Sequence, residues 1–575
     1  LISLPFFVFF RFGGMPRAKG LFRAKVSKIK IPLIPSEKQA ITERYKITLG
    51  LGRMSNSTNP FHSKTFTILW IATVCSNIGT WMHDVGAGWL MAGLTDSPIW
   101  VALIQTATSL PIFLLALPAG AFADIFNRRK ILLVTQSFLA LFALLLGYLV
   151  YINAVTPLTI IGITFLMGIG TAFTAPVWQA IVPSLVPKAA LQQAVAVNSV
   201  GINISRAIGP AIAGLIITTL GIAYPFFLNA LTFLVVITAL FWWKPAPTMQ
   251  RQLPKEDLLG AIRTGIRYAF HSQALKNTLF RAISFFLFAS AYWAMLPLIA
   301  KEVLQGGAHT YGTLLALVGV GAVVGAFTLP KLKKKLNTDQ LVVFGSLGTA
   351  LAMFIFALIP NLGLAYMASF IAGFSWLTVL TNLNVSAQVS LPEWVRARGL
   401  AIFVTFFFGS MSLGSLIWGQ LASITSIQTS LLTASICLCL VLPISRFFNL
   451  AKGQELNLAP SSHWPAPLVI DEIRPDRGPV MIFIEYQISA QNRDKFIQLM
   501  DLFKHQRYRD GAYSWGIFQD SNNDSKFIEY FLVSSWVEHL RQHERVTFED
   551  QKLQAEIQAL HSGDTPPKVS HFIAP

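Results

Sequence analysis

GAFADIFNRRK (residues 120–130) lies between two apolar runs and packs a glycine, an acid and three cations into eleven residues. Such a stretch is a short polar loop joining two helices. At an offset of 205 residues GAFTLPKLKKK (325–335) stands in the same place, with Gly120 on Gly325 and Arg128-Arg129-Lys130 on Lys333-Lys334-Lys335. Leu329 stands where the acid, Asp124, has its counterpart. The same offset pairs Gly168 with Gly373, Pro187 with Pro392, Gly209 with Gly414 and Gly214 with Gly419. The chain is a tandem repeat, and its two copies are expected to fold alike.

Outward from that loop the apolar runs are long. A helix needs ~20 mostly apolar residues to cross a ~30 Å hydrocarbon core. On that basis twelve spans are expected, near 66–90, 98–122, 131–152, 157–180, 194–218, 224–243, 282–300, 311–330, 340–359, 363–387, 398–422 and 428–447. The loops on one side (123–130, 183–192, 244–282, 331–339 and 392–399) hold 17 Lys and Arg, whereas those on the other hold Lys301. Positive loops stay in the cytoplasm, so both termini are expected inside. Two parallel six-helix repeats about an axis along the membrane normal resemble the major facilitator fold.

Composition agrees with lipid. Hydrophobic residues make up 53% of the 575 and charged ones 13%, against about 25% charge in a soluble domain. The net charge of +18 divides into +9 over residues 1–53, +13 over 54–449 and −4 over 450–575. A nucleic-acid footprint needs a basic soluble domain, and the soluble part here is acidic, so no nucleic-acid partner is expected. Cys75, Cys437 and Cys439 all sit in apolar runs, with neither a disulfide framework nor metal-ligand company. At the start, LISLPFFVFF precedes its basic residues, the reverse of a signal peptide. Residues 1–60 therefore read as an extension, either disordered or spurious, with Met54 the expected natural start.

Each motif suggests a task. The 120–130 loop resembles the signature loop of the major facilitator superfamily. Gly120 permits close helix approach, Asp124 can face the positive N-terminal end of another helix near Ala397, and Arg128, Arg129 and Lys130 anchor at headgroups or pair with the acid. SRAIGPAIAG (205–214) resembles the Gly-Pro motif of the family's antiporters: Gly209 and Gly214 allow tight packing and Pro210 bends the helix. Few ionisable residues lie within spans, namely His83, Asp84 and Arg206. An intramembrane charge is a functional hypothesis by default. Asp84 is a candidate proton-coupling carboxylate, and Arg206 either binds an anionic substrate group, biases Asp84 or forms a structural ion pair with it. His83, Gln105, Asn203 and Asn382 are candidate cavity linings, and Trp81 and Trp89 fit the cavity or the outer aromatic belt equally.

The run from SNIGTWMHDVGAGWLMAGLTDSP through LPIFLLALPAGAFADIFNRRK resembles the bacterial transmembrane secretion effector branch, which is related to the enterobactin exporters. That resemblance implies proton-coupled secondary export of a small drug-like or siderophore-like molecule from the bacterial inner membrane, without cofactor or metal. Uptake by the same fold is the alternative direction.

Six regions follow: the extension (1–60), a first six-helix half (61–243), an inter-half linker (244–281), a second half (282–449), a linker (450–479) and a soluble domain (480–575). LLGAIRTGIRYAF (258–270), with Arg263 and Arg267 on one face, reads as an amphipathic surface helix. The last region alternates as strands at 480–488, 512–520 and 527–535, with helices between and a final KVSHFIA strand, the β-α-β-β-α-β order of a ferredoxin-like domain. It resembles small antibiotic-biosynthesis monooxygenases and their dimeric relatives. A dimerisation or regulatory role is expected there; a catalytic tail is the other reading. His539, His543 and Glu544 have the spacing of ligands but read as charged surface rather than a metal site.

Overall fold

The computed structural model describes residues 59–575 apart from 245–257, 451–456, 462, 465–473, 475 and 575. The expected extension falls outside the described residues except for Asn59 and Pro60, as do the two linkers in part. Long helices occupy α1 (Lys64–Leu94), α2 (Pro98–Ile125), α3 (Arg128–Tyr151), α4 (Pro157–Leu185), α5 (Leu191–Thr219) and α6 (Tyr224–Trp242). A shorter α7 (Leu258–His271) follows, then α8 (Gln273–Leu298), α9 (Ala308–Leu332), α10 (Thr338–Leu358), α11 (Leu362–Val389), α12 (Arg396–Ile424) and α13 (Ile427–Ser445).

Local chemistry sets their starts. Ser63, Asn127, Thr156, Asn361 and Ser426 each cap a helix by accepting from a backbone N–H three residues on. These bonds satisfy donors that lipid would leave orphaned. Proline opens α2 and α4, where its missing N–H costs nothing. Among the described residues eleven helices, all the long ones except α1, are long and apolar enough to cross a membrane. At 31 residues α1 has the length, but Asn77, His83 and Asp84 are part of it.

The repeat in sequence is a repeat in contacts. On α5, a Cβ at Gly209 would lie 2.6 Å from Trp81 Cβ on α1, and one at Gly214 would lie 3.1 Å from the Ala308 carbonyl oxygen on α9. On α12, Gly414 lies against Ser290 and Leu287 of α8, while a Cβ at Gly419 would lie 2.5 Å from that of Ala102 on α2. In each half, therefore, the fifth helix meets its own first helix through one glycine and the opposite half through the next. From α9, a Cβ at Gly312 would lie 2.6 Å from the Pro210 carbonyl oxygen, and one at Gly319 would run into the backbone of Arg206 and Ala207. Two seams, α5 with α9 and α2 with α12, thus join the halves. At the end of the bundle away from the basic loops Lys301 donates to the Ala92 carbonyl and reaches Asp96 at 3.8 Å. At the basic end, by contrast, a Cβ on Gly120 would find nothing within 4 Å.

The C-terminal region is a four-stranded antiparallel sheet in the order β2-β3-β1-β4, with β1 (Val480–Gln487), β2 (Ser514–Gln519), β3 (Lys526–Val533) and β4 (Lys568–Ile573). Helices α14 (Arg493–Asp510), α15 (Trp536–Arg545) and α16 (Phe548–Gln558) complete it. Alternation puts Val480, Ile482, Phe527 and Phe531 into a core with Phe496, Met500 and Phe503. Within that core Glu529 is fully buried and accepts from Arg507 at 2.8 and 3.1 Å, Tyr486 at 3.1 Å and Trp515 at 3.0 Å. A buried carboxylate is tolerated only when so fully partnered.

This region docks on α7. Arg267 meets Glu538 at 3.2 Å, and Glu538 also holds Arg545 at 2.6 Å. The Arg545 guanidinium lies 4.6 Å from the ring of Trp394, in the turn before α12, while Tyr268 donates to the Ser390 carbonyl at 3.1 Å. The sequence suggested a surface helix with Arg263 and Arg267 on one face; Arg267 is engaged by the tail. Burial pushes the Glu538 carboxyl up, but Arg545 and Arg267 outweigh it and hold the group below the usual glutamate value. A depressed carboxylate stabilises above its ordinary pKa and loses that contribution as pH falls through the folded value. Docking is therefore expected to persist at neutral pH and to weaken progressively as pH falls below the ordinary glutamate range. Hydrogen exchange along α7 checks this: Arg267→Gln should raise it about tenfold at pH 7, and unchanged exchange would remove the ion pair as the tie.

Candidate functional site

Between the halves, at mid-length of the bundle, side chains from α1, α5, α8, α11 and α12 meet. The Arg206 guanidinium lies 5.4 Å from the Trp81 ring. Trp81 is 6.4 Å from Trp293, which is 5.3 Å from Trp376, and Phe286 and Phe407 continue the stack at 5.2 and 4.3 Å. Such tilted and edge-on contacts suit aromatic quadrupoles and leave ring faces for a guest. Arg206, Trp81 and Trp293 are half-buried, and the fully buried Tyr292 lies behind them within electrostatic reach of Arg206. Asp84 is half-buried one turn along α1 from Trp81 and near Tyr311 of α9. No ion pair joins Asp84 to Arg206 among the described residues, so the structural pair is not formed.

The other expected residues scatter. His83 is buried with its ring edge-on to Phe226 at 4.9 Å, inside the first half and turned to α6. Its place is a helix contact, not the shared space. Gln105 is half-buried on α2, and Asn203 donates to the Ser199 carbonyl of its own helix at 2.9 Å. Asn382 folds back on Thr378 at 2.7 Å and is buried, which takes it out of the lining. Trp89 stacks on Tyr311 near the end away from the basic loops, whereas Trp81 belongs to the centre.

In the signature loop the Asp124 side chain lies outside the described residues. Arg128 donates to the Ala123 and Ala180 carbonyls at 3.2 and 2.9 Å, and Arg129 to the Leu240 and Phe241 carbonyls at 2.8 Å each. Arg129 thereby sits on the last turn of α6, where carbonyls are orphaned and the helix dipole is negative. These cations staple the first half; Lys130 is the exposed one. Sequence reasoning missed Tyr292, Trp293 and Trp376, since in an aromatic-rich membrane chain ring residues facing lipid and facing a site look alike.

In the tail the Nε2 atoms of His539 and His543 are 3.3 Å apart, and His571 lies 4.7 Å from His539 ring to ring. Burial first, then the neighbouring imidazoles, lowers His539 to about 3 and His543 to about 4, so both are neutral at pH 7. His539 is buried rather than part of a charged surface, while Glu544 is exposed. Among the described residues no group of three His, Cys, Asp or Glu is placed to hold a metal.

The profile of the transmembrane secretion effectors, a family of major facilitator transporters, matches residues 55–575. The chain belongs to that family. It is similar to the staphyloferrin A transporter of Staphylococcus aureus, 25% identical over 394 residues, which covers 67% of this chain and 96% of that protein. The enterobactin exporter EntS of Escherichia coli is 26% identical over 399 residues, covering 67% and 93%. The multidrug efflux pump Tap of Mycolicibacterium fortuitum is 23% identical over 402 residues, covering 68% and 97%. Among solved structures, an inward-facing, unoccupied bacterial homologue of the human lysosomal transporter Spinster superposes with a TM-score of 0.54 at 15% identity, covering 68% of this chain and 98% of that one. The nucleoside transporter NupG gives 0.55 at 13%, covering 67% and 99%. At such identity the solved structures share the fold. This secretion effector is thus a multi-pass secondary transporter working in export, and its helical body is not an enzyme.

Proposed function

We propose that this secretion effector exports a small siderophore-like or drug-like molecule across the bacterial cytoplasmic membrane in exchange for protons. Alternating access between the halves 61–243 and 282–449 carries the molecule, with α1 as the twelfth span and the basic end, both termini and the tail in the cytoplasm. One observation carries this reading: the halves close on each other along two glycine seams at one end, while half-buried Arg206 and Asp84 stand between them without an ion-pair partner among the described residues. The excess of Lys and Arg in the loops at the end away from the seams supports calling it cytoplasmic.

Asp84 is the proton carrier. A carboxylate in a membrane helix without a cation partner changes charge only by exchanging a proton. Asp124, Gly120 and the basic cluster then act at the cytoplasmic gate, with Arg128 and Arg129 fixing the frame against which the gate moves. Substrate added to inverted vesicles is expected to release protons from the lumen with the natural protein and to release none with Asp84→Asn. Equal release from both would remove Asp84 from the coupling.

The tail (480–575) is read as a ferredoxin-like dimerisation module, supported by its strand order. The sheet face away from the helices carries Met481, Phe483, Phe518, Tyr530 and Phe572, with Phe518 60% and Phe572 52% exposed. Glu485 on that face is already paired with Lys526 at 2.9 Å, so what a second copy turned about a two-fold axis meets there is rings with rings. Phe483→Asp in the full chain should convert a dimer into a monomer in nanodisc mass measurements. A monomer without the substitution, or a dimer with it, contradicts the module.

A further inference from the structure

We infer that the central site selects anions with a planar aromatic body over cations, an inference that rests on the transport reading above and deepens it. The observation is a set of donors lacking acceptors. Arg206 Nε, the Tyr292 hydroxyl, Trp293 Nε1 and Trp376 Nε1 are all buried and without a hydrogen-bond partner. Three of these four groups can only donate. They come from α5, α8 and α11, so both halves contribute, and the ring contacts at 5.3 Å between Tyr292 and Trp293 and between Trp293 and Trp376 keep them together. Tyr292 is fully buried and Trp376 is 5% exposed.

A buried donor left unmade is costly, and four in one place ask for a guest rich in acceptors. Charge gives the sign. Arg206 has no carboxylate partner among the described residues, since Asp84 is not paired with it, and the guanidinium instead rests over the Trp81 ring. A carboxylate or phenolate arriving beside Arg206 would neutralise it and accept from the indole and phenol donors, bonds strengthened by charge. A cation would meet an uncompensated positive charge and donors with nothing to accept. The faces of Trp81 and Trp293, both half-buried, supply the surface on which a flat ring stacks.

The test is equilibrium binding to the full chain in nanodiscs, with radiolabelled salicylate as the anionic probe, salicylamide as its neutral isostere and tetraphenylphosphonium as the cation. Salicylate is expected to bind at least about tenfold tighter than salicylamide, and Arg206→Gln to abolish that preference. Arg206→Lys should keep part of it, which a merely misfolded variant would not, and Trp376→Phe should weaken salicylate severalfold with the fold intact. Phosphonium binding equal to or tighter than salicylate, an unchanged preference in Arg206→Gln, or no salicylate binding at millimolar concentration would overturn the inference. Because binding is read without transport, selective binding with no proton movement in vesicles would sink the exchange reading and leave this one standing.

Discussion

Close approach of backbones at glycines is the constraint on which this molecule depends. Lipid gives helices no hydrophobic reason to associate, so packing must come from surfaces that fit. Here the fit is made where a Cβ has no room, at Gly312 against Pro210, Gly319 against Ala207 and Gly419 against Ala102. Both seams join one half to the other, and both lie toward the end opposite the basic loops. A contact made of small residues and carbonyls holds firmly when closed but has little polar bonding to break when it parts. That is the behaviour an alternating gate needs, and within the halves the same residue type binds helices that must stay together.

Much of this was legible in the chain. The 205-residue offset paired Gly209 with Gly414 and Gly214 with Gly419; the first pair packs each fifth helix on its own half and the second pair packs it on the opposite half. Periodicity alone could not say which helix each glycine would face. The helix-end bonds of Arg128 and Arg129 were not legible for a physical reason: positive-inside charge and helix-end stapling place cations at the same positions, and only the carbonyls of Ala180, Leu240 and Phe241 reveal the second use. His83 and Asp84 are neighbours in sequence but, on a helix, point to different surroundings, so His83 packs on Phe226 while Asp84 stays near the space between halves. The aromatic half of the site was not legible, because a Trp on a lipid belt and a Trp on a cavity wall carry the same apolar signal.

The tail ties the organisation together at the basic end. Its α15 places Glu538 against Arg267 of α7 and Arg545 over Trp394, so one ion-paired cluster touches both the strap between halves and the turn ahead of α12. A helix expected to lie free on the membrane is held between two bodies. Any rearrangement of α12 at the basic end must therefore be felt at α7 and in the tail, which links the soluble domain to the transport cycle without requiring it to touch substrate.

The most direct measurement of whether the seamed end is a moving gate is a reversible cross-link across it. Asp96 and Lys301 come from different halves and stand 3.8 Å apart at that end. With Cys75, Cys437 and Cys439 replaced by serine, Asp96→Cys and Lys301→Cys can be joined by a short bis-thiosulfonate reagent in vesicles. If that end opens in every cycle, complete cross-linking stops transport and reduction restores it. Transport at an undiminished rate with the link fully formed would mean that the halves do not part there, and alternating access through these seams would be wrong.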